Sequence, residues 1–261
     1  MKRLTVTIKV FAAFFMTLIF AACTNNNSTL ATKSDIDSLR KQIDHLSSGS
    51  SASELIKVGK TENPHLDPLT PQNSILILID YQPNMIDGVG SGDRTLIINS
   101  AVASAKTAQI LGIPVVYTSI SPKVDGEFIK QLTDIFPKLE VIARSVPTID
   151  ALEDPGVMNA IKSSGRKKVI VSGLWTSMCF AFSAIHAKRE GFDVYGIMDA
   201  TGDATVAAHE HGVERMIQAG VVPITWMSLT FEWMHDWANP KSKELKTEVL
   251  NKYDVVFTVL P

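Results

Sequence analysis

A chain of 261 residues, 45% of them hydrophobic, is long enough to bury a sizeable core, and with a leader set aside it fits one α/β domain of ordinary size. Its formal net charge of −2, without a basic stripe, removes the electrostatic footing that nucleic acid binding needs.

The chain opens with Met1-Lys-Arg and, after Lys9, runs through the apolar stretch Val10 to Ala22. A charged start before a short apolar segment has the form of a secretory signal, and these thirteen residues are too few to span a bilayer. The stretch closes on Phe20-Ala-Ala-Cys23, small residues directly before a cysteine, which mark a bacterial lipoprotein cleavage site, with Phe20 where such sites usually carry Leu. The expectation is a lipoprotein signal peptide over residues 1–22 and a lipid anchor on Cys23. The folded part would then sit in the bacterial cell envelope, outside the cytoplasm, and meet a membrane only through that lipid. Ordinary signal cleavage is the alternative.

Residues 23–73 read as a polar tether, with linker composition in Asn25-Asn-Asn-Ser28 and Ser47-Ser-Gly-Ser-Ser-Ala-Ser53. Within it Ile36, Leu39, Ile43 and Leu46 recur at helical spacing, which predicts a short helix over 34–47, either isolated or paired as a brief coiled-coil stalk. With Cys23 under lipid, Cys179 is left as a free thiol in an oxidising setting.

From residue 74 to 261 apolar runs alternate with helical patterns. Strands are predicted at Ser74 to Asp80, Pro114 to Ser119, Val141 to Arg144, Lys168 to Ser172, Asp193 to Met198 and Val222 to Trp226. Helices are predicted near Asp93 to Leu111, Gly126 to Ile135, Asp154 to Ser163, Thr176 to Glu190 and Thr205 to Ala219. Such alternation implies parallel strands joined by helical crossovers, hence a doubly wound, six-stranded α/β sheet with helices on both faces. Gly112, Gly165, Gly191 and Gly220 each follow a helix, as C-terminal caps do.

Three of these strands end in residues that carry chemistry. Ser74-Ile-Leu-Ile-Leu-Ile-Asp80 ends in a carboxylate, Val141-Ile-Ala-Arg144 in a cation, and Lys168-Val-Ile-Val-Ser-Gly173 turns into a helix start with Cys179 in its first turn. Open α/β sheets place their sites at such strand ends. With Thr176 as N-cap, unpaired N–H groups and the helix dipole would lower the pKa of the Cys179 thiol. The competing reading is a buried cysteine serving as a small hydrophobe.

Asp80, Arg144 and Gly173-Leu-Trp-Thr-Ser-Met-Cys179, in that order, resemble the isochorismatase-like cysteine hydrolases, which share an Asp after the first strand, a basic residue after the third and a Gly-x-x-Thr-x-x-Cys turn after the fourth. The similarity continues through Ala184 to Ala200 and Glu232 to Trp237, covering roughly residues 70 to 240, and Arg144 matches the subgroup with arginine in place of lysine. The resemblance implies that Asp80 takes the thiol proton, Cys179 attacks a carbonyl or similar carbon, and Arg144 fixes the charges. It also implies oxyanion donors from backbone N–H groups near Met178 and Cys179, and a cis peptide at Trp175-Thr176. Homo-oligomers are expected from the resemblance and from the aromatic segment Phe231 to Trp237.

Trp175, Tyr81, Gln82 and Phe136 are pocket candidates or packing residues. The loop after Arg144 departs from the family's usual spacing to an Asn, and Asp150 joins the pocket candidates there. The metal site of the nicotinamidase branch is replaced by Thr118-Ser-Ile-Ser-Pro-Lys123, and the i, i+2 pair His209-Glu-His211 diverges on a helix, so no metal or other cofactor is expected. His186 lies about 10 Å along the helix from Cys179, where a core or interface role suits it better than that of a base. The function implied is a cysteine hydrolase cleaving an amide-type C–N bond or an ester of a small molecule. An envelope-tethered binding or assembly module without catalysis, and a thiol redox sensor using Cys179, are the alternatives.

Overall fold

The computed structural model describes residues 66–253, together with Lys33 and Asp37. Cys23, the leader and the apolar positions of the 34–47 pattern lie outside the described residues. The chain divides into two units after Glu62, and the fold below is that of the second.

Six parallel strands form one sheet: β1 (Ser74–Ile79), β2 (Val115–Ser119), β3 (Val141–Ala143), β4 (Lys168–Gly173), β5 (Asp193–Ile197) and β6 (Val222–Ile224). Their spatial order is β3-β2-β1-β4-β5-β6. The chain moves outward from β1 to β3, then returns to place β4 beside β1. The switch point therefore falls between β1 and β4, where an open sheet of this kind leaves a crevice beyond its strand ends.

The period of two along β1 explains why an unbroken apolar run suits this position. Leu76 and Leu78 point to one face, with the small residues Ala101, Ala105 and Ala108 of helix α1 (Arg94–Leu111). Ile75, Ile77 and Ile79 point to the other face. There they join α2 (Pro155–Ser163), α3 (Ala181–Arg189) and α4 (Val206–Gln218) through Val157 and Ile161, Ala184 and Ala187, and Met216. Each of these fully buried Leu and Ile side chains contributes roughly 1.5–3 kcal/mol relative to exposure. At the end of β4, Gly173 pairs with Ile79, and a Cβ there would fall 2.6 Å from that of Ile79. The close approach of β1 and β4 at the switch point thus requires glycine.

Several expected boundaries shift for local reasons. The helix near 126–135 shrinks to Lys130–Thr133, because Gly126 takes φ +86° and Ile129 donates its N–H to the Tyr81 carbonyl. Strand β6 stops at Ile224. Trp226 instead opens helix α5 (Trp226–Met234), which Thr225 and Ser228 close with a capping box. The aromatic segment packs on its own chain: Trp233 is buried and its Nε1 donates to Ser74 Oγ at 3.1 Å, while Phe231 meets Trp237 edge to face at 5.7 Å. Packing also begins ahead of β1, where Leu69 is fully buried and donates its N–H to Glu232 Oε1 at 2.7 Å. Among the described residues no helix is long and apolar enough to cross a membrane.

Candidate active site

The residue after β1 carries the first functional side chain in an unusual backbone conformation. Asp80 has φ +59°, a left-handed geometry that asparagine and aspartate adopt more readily than other non-glycine residues. Its N–H donates to Thr118 O and its carbonyl accepts from Gln82 N at 2.8 Å, so the turn is tight and the carboxyl is held inside. Arg144 follows β3, its N–H bound to the Ser119 carbonyl. Its Nη2 donates to Asp80 Oδ2 at 2.8 Å, and both side chains are completely sealed from solvent.

Cys179 completes the group from the turn after β4. Its thiol lies within range of the Asp80 carboxyl and feels the Arg144 charge. Two buried atoms are left over: among the described residues Asp80 Oδ1 and Arg144 Nε have no hydrogen-bond partner of proper geometry. An orphaned buried group costs about 1–3 kcal/mol, and each such group in a native protein calls for a reason. One open acceptor and one open donor beside a thiol are what a reacting centre needs.

Burial reverses the expected state of the thiol. Cys179 is 4% exposed, and its pKa is pushed up, first by desolvation and then by the Asp80 carboxylate. Arg144 and the residue's own amide pull it back only in part. Burial and the Asp80 carboxylate thus push the thiol in the opposite direction to the lowering expected of a helix start. Asp80 is itself directed upward by burial and restrained first by Arg144 and then by Cys179, so the two acids are coupled in a closed interior.

The turn that carries Cys179 also differs in detail. Trp175, not Thr176, stands at the N-cap, without a capping side chain, and Thr176–Phe180 forms a π-turn ahead of α3. The cis peptide is Leu174-Trp175, one residue earlier than the resemblance places it. The Met178 N–H is already donated to Trp175 O at 3.1 Å and that of Ser177 to Asp203 Oδ2 at 2.8 Å. The oxyanion site expected at Met178 is therefore not free, and the Cys179 amide is the one that reaches the thiol.

The pocket candidates prove to be supports. Tyr81 is fully buried and hydrogen-bonds Ser172 Oγ at 2.9 Å and the Ala200 carbonyl at 2.5 Å. Gln82 ties the loop beyond β2 in place, donating to Ile120 O and Gly126 O and accepting from Ile120 N. Phe136 stacks edge to face on Tyr117, and Trp175 donates to Met85 O at 2.7 Å while its ring covers Gly88. Asp150 is turned toward α3: it caps the turn Ala151–Glu153 and pairs with His186 Nδ1 at 2.8 Å. His186 is thus a structural partner, as its distance along the helix implies. His209 and His211 do separate: His211 pairs with Glu214, whereas His209 meets Thr176 Oγ1 at 2.9 Å. Nothing local in the sequence signals that contact, because Thr176 and His209 lie on separate elements of the chain.

A family model described as the isochorismatase domain matches residues 74–228. The chain belongs to the isochorismatase family. A curated relative, the probable hydrolase YcaC of Escherichia coli (strain K12), is 29% identical over 172 residues, which is 66% of this chain and 82% of the relative. The E. coli YcaC structure, described as an octameric hydrolase of unknown specificity, superposes with a TM-score of 0.68 at 27% identity, covering 73% of this chain and 95% of that one. YcaC from Pseudomonas aeruginosa, solved with hexane-2,5-diol and covalent acrylamide, gives a TM-score of 0.70 at 25% identity over 74% of this chain and 94% of its own. The chain is accordingly an isochorismatase-family hydrolase.

The electrostatics set the pH dependence of the thiol. Because Asp80 raises the Cys179 pKa and Arg144 lowers it, alkylation of Cys179 should require alkaline pH in the wild type. It should move to lower pH in Asp80→Asn and to higher pH in Arg144→Met, with Arg144→Lys shifted less because the cation survives. Coincident rate–pH profiles would show that the three groups are not coupled.

Proposed function

We propose that Cys179 is the nucleophile, Asp80 the general base and Arg144 the fixed cation of a cysteine hydrolase that cleaves an amide-type C–N bond, or an ester, of a small molecule. The observation that carries this reading is the sealed Arg144–Asp80 ion pair set beside a thiol at the switch point of the sheet. Asp80 accepts the thiol proton as Sγ bonds to the carbonyl carbon. The amine or alcohol leaves with a proton returned from Asp80, because arginine cannot supply one. Water then attacks the thioester with Asp80 again as base, the acid departs, and the thiol regains its proton.

A base held against the nucleophile suits a thiol that is not ionised at rest. The same raised pKa argues against a redox sensor, whose cysteine is ionised and accessible. Acrylamide is an electrophile, and its covalent presence in P. aeruginosa YcaC supports a nucleophile in a fold of this kind. Cys179→Ala should abolish hydrolysis of a genuine substrate while the chain stays folded, and acrylamide should add one equivalent at Cys179 that is absent in the variant, read by peptide mass. Substantial turnover by the Ala variant removes the nucleophile assignment.

The reading extends to assembly and place. A homo-oligomer is proposed, supported by the octameric state of E. coli YcaC and by the exposed apolar side chains Leu96, Val146, Ile149 and Val206. The composition of Met1 to Cys23 supports an envelope protein anchored through a lipid on Cys23. The mature chain should then begin at Cys23, carry the mass of a diacylglycerol and an acyl chain, and partition with membranes. A soluble mature chain starting elsewhere would refute the anchor.

A further inference from the structure

His209 takes no part in the chemistry above, yet it ends a hydrogen-bonded line that runs to the root of the nucleophile turn. Thr201 Oγ1 contacts the Gly173 carbonyl at 2.5 Å, Thr176 Oγ1 lies 2.9 Å from Thr201 Oγ1, and His209 Nδ1 lies 2.9 Å from Thr176 Oγ1. The order of protons follows from counting donors. A carbonyl only accepts, so the single Thr201 hydroxyl proton goes to Gly173. The Thr201 oxygen must then accept from Thr176, which commits the Thr176 proton. Thr176 Oγ1 in turn can only accept from the histidine, so Nδ1 carries a proton.

The helix that presents this group lies flush on the turn. Thr205 caps α4, placing His209 in its first turn, and Gly212, three residues on, is so close to Ser177 that a Cβ would fall 2.8 Å from the Ser177 Cα. Asp203, just ahead of the helix, accepts from the Ser177 N–H at 2.8 Å. Thr176 is thereby held from two sides, its N–H by Gly202 O and its hydroxyl by Thr201 and His209. Cys179 stands three residues further along the same π-turn.

We propose that His209 is the positioning residue of the nucleophile turn: as the Nδ1–H tautomer it donates to Thr176, and through Thr176 and Thr201 it ties α4 to the end of β4, fixing where Cys179 stands relative to Asp80. Its functional consequence rests on Cys179 being the nucleophile. The proton order rests on the hydrogen bonds alone.

Two measurements on the full-length chain test this. With histidine labelled by heavy nitrogen, the neutral form of the His209 ring shows a proton on Nδ1 and none on Nε2. Alkylation of Cys179, read on its own peptide so that Cys23 does not contribute, slows about three- to ten-fold in His209→Leu, the worth of one buried hydrogen bond. His209→Asn, whose amide N–H stands near the place of Nδ1, stays within about two-fold of the wild type. A neutral ring with a bare Nδ1 overturns the proposal, as does a folded Leu variant that alkylates at the wild-type rate. If the Leu variant does not fold, the tautomer in the native chain decides alone. Neither result depends on whether Cys179→Ala retains hydrolysis, so failure of the positioning role and failure of the nucleophile are told apart.

Discussion

The site depends on one ion pair from which water is excluded. Arg144 and Asp80 meet at 2.8 Å with no exposed side-chain surface. Removing two charges from water is costly, and in such an interior the gain from their attraction does not by itself guarantee net stability. The pair is therefore poor evidence for a device that stabilises the fold. It is better understood as the arrangement that aims the Asp80 carboxyl and opposes its neutralisation by burial, since desolvation pushes the Asp80 pKa up and Arg144 is the largest influence holding it down.

Everything around the pair serves its placement. The strand order brings β1 and β4 side by side at the crevice, so Asp80 and the Cys179 turn arrive from neighbouring strands, while Arg144 reaches back from β3 at the edge. Gly173 permits the close approach, the left-handed turn at Asp80 directs the carboxyl inward, and Gln82 holds the loop beyond β2. Tyr81, although adjacent to Asp80, turns to the opposite side of the sheet and secures the Ser172 and Ala200 region instead. The result is a carboxyl and a thiol brought together in a closed interior, with Asp80 Oδ1 and Arg144 Nε unpartnered among the described residues.

Much of this was legible in the sequence because it rests on short-range rules. The apolar run Ser74 to Ile79 has the length and composition of a strand buried on both faces, and Gly112, Gly165, Gly191 and Gly220 all adopt the positive φ of a cap after a helix. Asp80, Arg144 and Cys179 do converge, as three strand ends on one edge of a parallel sheet must. The rest depends on contacts distant in sequence. Thr176 has the local character of a cap, yet its hydroxyl is engaged by Thr201 and His209, far along the chain. The largest influence on the thiol pKa is burial, which no spacing reveals. The start of α5 at Trp226 hid behind β-branched and aromatic residues that favour strands, although Thr225 and Ser228 carried a capping signal.

The interdependence of the pair is open to direct measurement by denaturant unfolding of Asp80→Asn, Arg144→Met and the double variant. The lone guanidinium left by Asp80→Asn has no escape, whereas the lone carboxyl left by Arg144→Met can take a proton, so the first variant should lose more, roughly 3–5 kcal/mol, and the second less. The double variant, with no uncompensated charge, should recover stability relative to Asp80→Asn despite carrying one more substitution. Losses that simply add, to within about 0.5 kcal/mol, would contradict the account and show that the two charges are not held by each other.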